Sequence, residues 1–281
     1  MNLTERLSDQ QIEFFRTFGF LSFPGLLQDR VESIVGAFEK LFEMHGGGHN
    51  GQGHDGTQRS CILPFIDQSD YLSSLLDDPR IDGIAATLLG DDYNYMGSDG
   101  NYYVGNTWWH RDGYLERDFK HLKIAFYLDP VTSDSGALRV IPGSHLLDDR
   151  FGSALTALIP DSDRTLGMSA SQLPSVALET QPGDIVCFDH NTFHASFGGG
   201  SRRRMFTINY SQRYPEERLG DLRDYIGTYA RFWTARVYGE PMMHTAGPQR
   251  LPHLEQIMAN DSHLAELSRR ARETMTEPSR F

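Results

Sequence analysis

The residues best suited to chemistry lie in two short segments of this 281-residue chain. The first is Asn106-Thr-Trp-Trp-His110-Arg-Asp112-Gly113. The second runs Pro182-Gly-Asp-Ile-Val-Cys-Phe-Asp-His-Asn-Thr-Phe-His194-Ala-Ser196, followed shortly by Arg202-Arg203-Arg204. Two imidazoles and one carboxylate on strand positions are the donor set of a facial triad for non-haem iron(II), which leaves coordination positions open for a cosubstrate and dioxygen. An arginine a few residues past the second histidine supplies a planar fork that matches a carboxylate.

Alone, His-x-Asp is weak, because a chain with 11 histidines contains such triplets by chance. The triplet gains weight by closing the β-favouring aromatic run Tyr102-Tyr-Val-Gly-Asn-Thr-Trp-Trp. A strand alternates its side chains, so His110 and Asp112 share a face while Arg111 points away. The bland alternative is a strand-end aspartate beside a core histidine. The second segment adds the missing ligand: Pro182-Gly-Asp184 reads as a turn into a short buried strand, Ile185–Phe188, with His194 after a polar connection. Between the histidines, Ser135-Gly-Ala-Leu-Arg-Val-Ile-Pro-Gly-Ser-His145 reads as a strand closed by a Pro-Gly turn.

In order and wording these motifs resemble the phytanoyl-CoA dioxygenase family of iron(II)- and 2-oxoglutarate-dependent oxygenases. The matching elements are Trp109-His-x-Asp112, Gly136-x-Leu-x-Val-Ile-Pro-Gly-Ser-His145, Pro182-Gly-Asp184, Phe188-Asp189, His194-x-Ser196 and the strand ending Asn209-Tyr210, together with the opening stretch Asp9 to Leu27. The resemblance implies a double-stranded β-helix (jelly-roll, cupin-like) core with flanking helices. It also implies iron(II) on His110, Asp112 and His194, with dioxygen and 2-oxoglutarate as cosubstrates. Ser196 and an arginine would hold the far carboxylate of 2-oxoglutarate. Counting back from Asn209-Tyr210, Arg203 takes the family's arginine position; a reading that turns the apolar alternate face inward selects Arg204 instead. The implied reaction hydroxylates an aliphatic carbon of a small-molecule metabolite and releases succinate and carbon dioxide. Because Asp112 keeps the third ligand anionic, hydroxylation is the expected outcome.

Several further residues are weighed against plain structural roles. Trp108 shares the parity of His110 and is a pocket candidate, with core packing as the alternative and Trp109 then packing outward; Tyr102 and Asn106 share that parity. Asn191 and Asp189 precede the distal histidine and either line the substrate pocket or serve turn hydrogen bonds. His145 reads as structural. His45, His49 and His54 belong to a Gly/His/Asn-rich stretch around Gly46 to Gly56, where they either bind a surface metal or are simply solvated; the stretch reads as a mobile loop and a candidate lid, helped by the aromatic segment Tyr225 to Tyr238.

The elements that must position these groups follow from periodicity. Ser8 caps a helix to about Phe18. Val31, Ile34, Val35, Phe38, Leu41 and Phe42 recur at helical spacing in Val31 to His45. Leu72 to Leu89 is expected to be helical, and a β region runs from Tyr93 to Tyr210 with interruptions. The expected organisation is a single oxygenase domain over 1–281: helices, a strand and a loop in 1–92, the jelly-roll core in 93–214, and a helical extension in 215–281. A formal charge of −12 disfavours nucleic acid and anionic membranes. No apolar run approaches the roughly 20 residues of a membrane span. Two cysteines suggest no disulfide framework, so a reducing cytoplasm is expected. The partner is a small-molecule substrate, the chain itself a monomer or homo-oligomer. Two other readings are a metal-dependent cupin-type isomerase or hydrolase without 2-oxoglutarate, and a non-catalytic jelly-roll binding module. The arginine and serine after His194 separate the first from an oxygenase, and the complete ligand set speaks against the second.

Overall fold

The computed structural model describes residues 6–113 and 120–280. Its strands, in chain order, are β1 (Phe20–Phe23), β2 (Ser60–Ile62), β3 (Asn94–Tyr103), β4 (Thr107–His110), β5 (His121–Tyr127), β6 (Leu138–Val140), β7 (Val176–Leu178), β8 (Ile185–Asp189), β9 (His194–Ser196) and β10 (Arg203–Ser211). They form a six-stranded sheet in the order β1-β8-β5-β10-β3-β2, facing a four-stranded sheet in the order β4-β9-β6-β7. The recorded strand pairings are antiparallel. This is the jelly-roll core. Two strands of the larger sheet, β1 and β2, come from the segment ahead of residue 93, so the N-terminal part is woven into the core.

Helices flank the strands, chiefly on the outer face of the larger sheet. They are α1 (Asp9–Phe18), α2 (Val31–His45), α3 (Asp70–Ser73), α4 (Pro79–Leu89), α5 (Arg150–Leu158), α6 (Ser162–Leu166), α7 (Leu219–Gly227), α8 (Glu240–His244), α9 (Pro252–Met258) and α10 (Leu264–Thr274), of which α5 and α6 lie between β6 and β7. α2 buries the stripe Ile34, Phe38, Leu41 and Phe42, as its spacing predicts. Phe42 meets Tyr102 of β3 edge-on at 4.4 Å. A second apolar layer lies between the sheets, with Ala125, Tyr127, Leu138, Val140, Phe188 and Met205 facing one another. A third packs Trp109, Phe193 and Phe197 beneath Ile159 and Leu173, outside the smaller sheet.

α1 ties the N-terminus to the turn ahead of His194. Its start is a capping box, with the Ser8 and Gln11 side chains reciprocally bonded to each other's backbone N–H. It ends at Gly19, whose φ of 83° suits glycine. The Gly19 carbonyl accepts from the Asp189 N–H at 2.9 Å and from the Thr192 hydroxyl at 3.1 Å. A Cβ here would lie 2.5 Å from His145 Nδ1. His145 in turn donates from Nε2 to the Arg16 carbonyl, a structural role.

Two expectations change. The stretch Leu72 to Leu89 is broken: α3 passes into a 3-10 turn, and α4 starts afresh at Pro79 with Asp78 as its cap. Proline is accepted at a first helical turn and resists a helix interior. The stretch Gly46 to Gly56 is packed and hydrogen-bonded. Gly47 N–H donates to Gln52 O, and Cys61 N–H to Gly47 O at 3.1 Å. His49 is buried, and His54 bonds Ser60 Oγ and the Ser201 carbonyl while stacking on Tyr102. His45, exposed, ends α2. Among the described residues no helix is long and apolar enough to cross a membrane.

Candidate active site

β4 and β9 pair with His110 directly opposite His194, which brings the two ring centroids to 4.2 Å. Asp112 lies just past the end of β4. Its N–H and that of Gly113 both donate to the His190 carbonyl at 2.9 Å, and this turn returns the carboxylate to the imidazoles. Asp112 Oδ1 is 3.7 Å from His110 Nε2, and Oδ2 is 3.4 Å from His194 Nε2. The three ligand atoms lie within 4.8 Å of one another, the one such grouping of His, Cys, Asp and Glu found among the described residues. Each histidine faces a carbonyl two residues earlier: His110 Nδ1 is 2.7 Å from Trp108 O, and His194 Nδ1 is 2.9 Å from Thr192 O. A carbonyl only accepts, so the proton belongs on Nδ1 and the Nε2 lone pair points inward. Arg111, between the ligands, turns outward and donates to Asn191 O, Thr156 Oγ1, Ser144 O and Gly152 O.

The electrostatics suit cation binding. Burial, then the neighbouring His110, push His194 down to about 3 against the opposing pull of Asp112, so its imidazole is neutral at neutral pH. Burial alone would raise Asp112. The charge of Lys123 is the largest influence opposing it, and the carboxylate is held well below its usual range. Lys123 Nζ sits 2.6 Å from Asp112 Oδ2.

These groups open on a cavity of about 850 Å³ between the sheets. Arg203 heads β10 with Met205 and Thr207 on the inward face, and its side chain, 6% exposed, lines the cavity. Among the described residues its Nε and Nη1 have no hydrogen-bond partner. Gly136 and Gly199 make room for it: a Cβ on either would lie 1.8 or 2.2 Å from Arg203 Nη1. Ser196 is two positions along β9 from His194 and also lines the cavity, with its hydroxyl donating to Gly136 O at 3.1 Å. Arg204 points the other way and pairs with Asp129 at 2.5 Å and Glu39 at 2.7 Å. A buried fork without a partner, in the same cavity as a convergent His-Asp-His set, fits a dicarboxylate beside a divalent metal.

The remaining candidates divide. Trp108 and Asn106 line the cavity; Trp108 is 67% exposed, and Asn106 Oδ1 also accepts from the Gly198 N–H. Trp109 packs outward and donates to Ala170 O. Tyr102 does not line the cavity: it lies under α2 and donates to Glu39. The strand is interrupted between β3 and β4 at Gly105, with φ 65°, so parity counted back from His110 fails there and Tyr103 is the inward tyrosine. Asn191 is also outside the cavity, since its side chain lies against Gly113 and its backbone carries turn bonds. Asp189 accepts from the Asn191 N–H in that same turn. No residue of 46–56 borders the cavity; Gln58 and Arg59, just beyond, do. Sequence reading missed Lys123, Tyr103, Asp99 and Arg59. Lys123 carries a signal, a lone charge at an alternate position in the apolar run His121–Tyr127.

A facing pair of sheets that holds two histidines, a carboxylate and a buried arginine around one cavity defines the class of jelly-roll oxygenases. The chain matches the phytanoyl-CoA dioxygenase family over residues 15–205. It belongs to that family of iron(II)- and 2-oxoglutarate-dependent oxygenases, and is an enzyme of that class. No curated protein sequence matches the chain. Among solved structures it is similar to the non-heme alpha-ketoglutarate-dependent carbocyclase SnoK from nogalamycin biosynthesis, with 25% identity, 74% of this chain and 85% of that chain covered, and a TM-score of 0.58. It shares its fold with HygX from Streptomyces hygroscopicus, solved with nickel and 2-oxoglutarate bound (18% identity, 74% and 88% covered, TM-score 0.57). The same holds for EctD from S. alaskensis, solved with 2-oxoglutarate and 5-hydroxyectoine (23% identity, 75% and 78% covered, TM-score 0.55).

Proposed function

We propose that the chain binds iron(II) through His110, Asp112 and His194 and 2-oxoglutarate through Arg203 and Ser196. In this reading it hydroxylates an aliphatic carbon of a small-molecule metabolite, with succinate and carbon dioxide as coproducts. The observation that carries the proposal is the convergence of the three ligand atoms and the partnerless Arg203 fork in one cavity. When bound, the metal supplies activation of dioxygen at the expense of 2-oxoglutarate. The chain's part is placement. The two Nδ1–H groups on carbonyls fix both ring orientations. Lys123 holds one oxygen of Asp112 and keeps it ionised. Arg203 and Ser196 offer charge-assisted and neutral donors to a carboxylate. Tyr127, Leu138, Phe188 and Met205 keep the interior dry around the reacting centre.

The carbocyclase SnoK and the hydroxyectoine-bound EctD are similar to the chain to nearly the same degree, so ring closure is the second reading. The two differ in whether oxygen from dioxygen stays in the product. We further propose that 1–281 works as one domain, because Arg231 and Arg280 of the extension line the same cavity, and that it works in the cytoplasm, where the buried thiols Cys61 and Cys187 stay reduced. The test is succinate release from 2-oxoglutarate by iron-loaded protein under oxygen, with oxygen-18 tracing of the metabolite it oxidises. Succinate from wild type and none from His194→Ala is expected. Succinate from both removes His194 from the site, and a label-free cyclised product would replace hydroxylation by ring closure.

A further inference from the structure

A guanidinium that is to receive a carboxylate must be held in place with its N–H groups unspent. Hydrogen bonds do not hold Arg203 Nε or Nη1, which have no partner among the described residues. Gly136 and Gly199 only clear space around Nη1. The group beside Arg203 that attracts a cation without taking its donors is the ring of Tyr103.

Sheet register puts the ring there. Arg203 pairs directly with Tyr103 across β10 and β3. Side chains at paired positions leave a sheet on the same face, and both of these line the cavity. On the other side of β3, Ser60 opens β2 opposite Tyr102, so the register carried one residue back sets Arg59 opposite Tyr103. Arg59, Tyr103 and Arg203 thus form one row across three neighbouring strands. Arg203 Cζ lies 5.2 Å from the centroid of the Tyr103 ring, and Arg59 Cζ lies 4.0 Å from it. Both distances fall within the roughly 6 Å at which a guanidinium is drawn to a ring face. Arg59 is itself anchored by two bonds to Asn101 Oδ1, at 2.9 and 2.7 Å, and so braces the ring from the β2 side.

We propose, resting on the reading that Arg203 binds 2-oxoglutarate, that Tyr103 is a positioning residue for that arginine. Its ring face orients the buried guanidinium before the cosubstrate arrives and uses none of the N–H donors that the far carboxylate needs. Other side chains would serve less well at this position. A carboxylate would neutralise the arginine, as Asp129 and Glu39 do for the outward Arg204. An aliphatic chain would give the cation nothing to rest on, and its rotamer freedom would then be lost when 2-oxoglutarate binds. The aromatic face avoids both, and its attraction is strongest where water is excluded. Arg203 is 6% exposed. The ring carries this role, and the hydroxyl has no part in it.

The test is calorimetric titration of full-length, manganese(II)-loaded protein with 2-oxoglutarate, without iron so that no turnover occurs. Tyr103→Leu should weaken 2-oxoglutarate on the order of tenfold, the scale of a desolvated cation–ring contact. Manganese affinity should be unchanged, and Tyr103→Phe should bind 2-oxoglutarate within about threefold of wild type. In an Arg203→Ala background, Tyr103→Leu should cause no further loss, because the two residues act as a unit. If Tyr103→Leu fails to take up manganese, Tyr103→Met replaces it with the same expectations. Wild-type affinity in the leucine variant, an equal loss in the phenylalanine variant, or a tenfold loss that persists without Arg203 would overturn the proposal. Failure of wild type to bind 2-oxoglutarate, or undiminished binding by Arg203→Ala, refutes the proposed function itself and this inference with it. Those two proteins are titrated before Tyr103 is changed, so the two failures are told apart.

Discussion

Asp112 reaches the two imidazoles from a turn held by the His190 carbonyl, with Lys123 on its far oxygen. Its position beside His110 follows from strand alternation; its arrival beside His194 depends on the pairing of β4 with β9, which no local pattern encodes. Arg203 shows a similar division. Alternation along Arg203–Tyr210 separates the two arginines into opposite faces, yet both faces carry apolar residues, and only the register with β3 and β5 decides which one looks inward. Arg203→Ala should raise the 2-oxoglutarate requirement by on the order of a hundredfold, given about 2–5 kcal/mol for truncating one member of a buried charge pair. Arg204→Ala breaks contacts to Asp129 and Glu39 on the outer face and should lower stability with little effect on 2-oxoglutarate. Binding isotherms and melting curves of the two variants check both.

At the scale of elements, what was local was legible. The Ser8 capping box and the α2 stripe are written in consecutive residues and reappear as read. Tyr102 and the stretch Gly46 to Gly56 were misjudged for a shared reason. An interruption of the strand at Gly105 resets the parity between β3 and β4, and a glycine-rich run that looks free is tied down by β2 and the Ser201 carbonyl, partners outside the run. Gly136 belongs to a motif visible in the sequence, but its purpose appears only in three dimensions, where it clears space for Arg203. Gly136→Ala, strained at φ 97°, should displace that guanidinium and cost about 1.5–3 kcal/mol of 2-oxoglutarate binding, as for one lost bond to a charged group. Metal uptake should persist, since no ligand moves; equal loss of metal and 2-oxoglutarate would show a general collapse instead.

At the scale of the molecule, the jelly roll joins remote segments into one core, and buried polar groups record that assembly. Asp67, fully buried beneath β3, accepts from Tyr95 at 2.5 Å and Ser98 at 3.1 Å. Burial pushes it up to about 6 despite those bonds. Its folded value exceeds the unfolded one, so its contribution to stability is full below about pH 4 and is lost as pH rises through 6. Wild-type stability relative to Asp67→Asn should therefore fall between pH 4 and 6 and level off above 7, as read by chemical denaturation at each pH. A flat difference would mean that Asp67 is ionised throughout.

The most direct measurement is an anaerobic titration of the full-length protein with iron(II) and then 2-oxoglutarate, following the visible charge-transfer absorption of a 2-oxo acid chelated to iron(II). Wild type and Arg204→Ala should reach the same saturating band, His194→Ala should show none, and Arg203→Ala should need far more 2-oxoglutarate to reach it. A wild-type band in His194→Ala, or an exchange of behaviour between Arg203→Ala and Arg204→Ala, would contradict the site described.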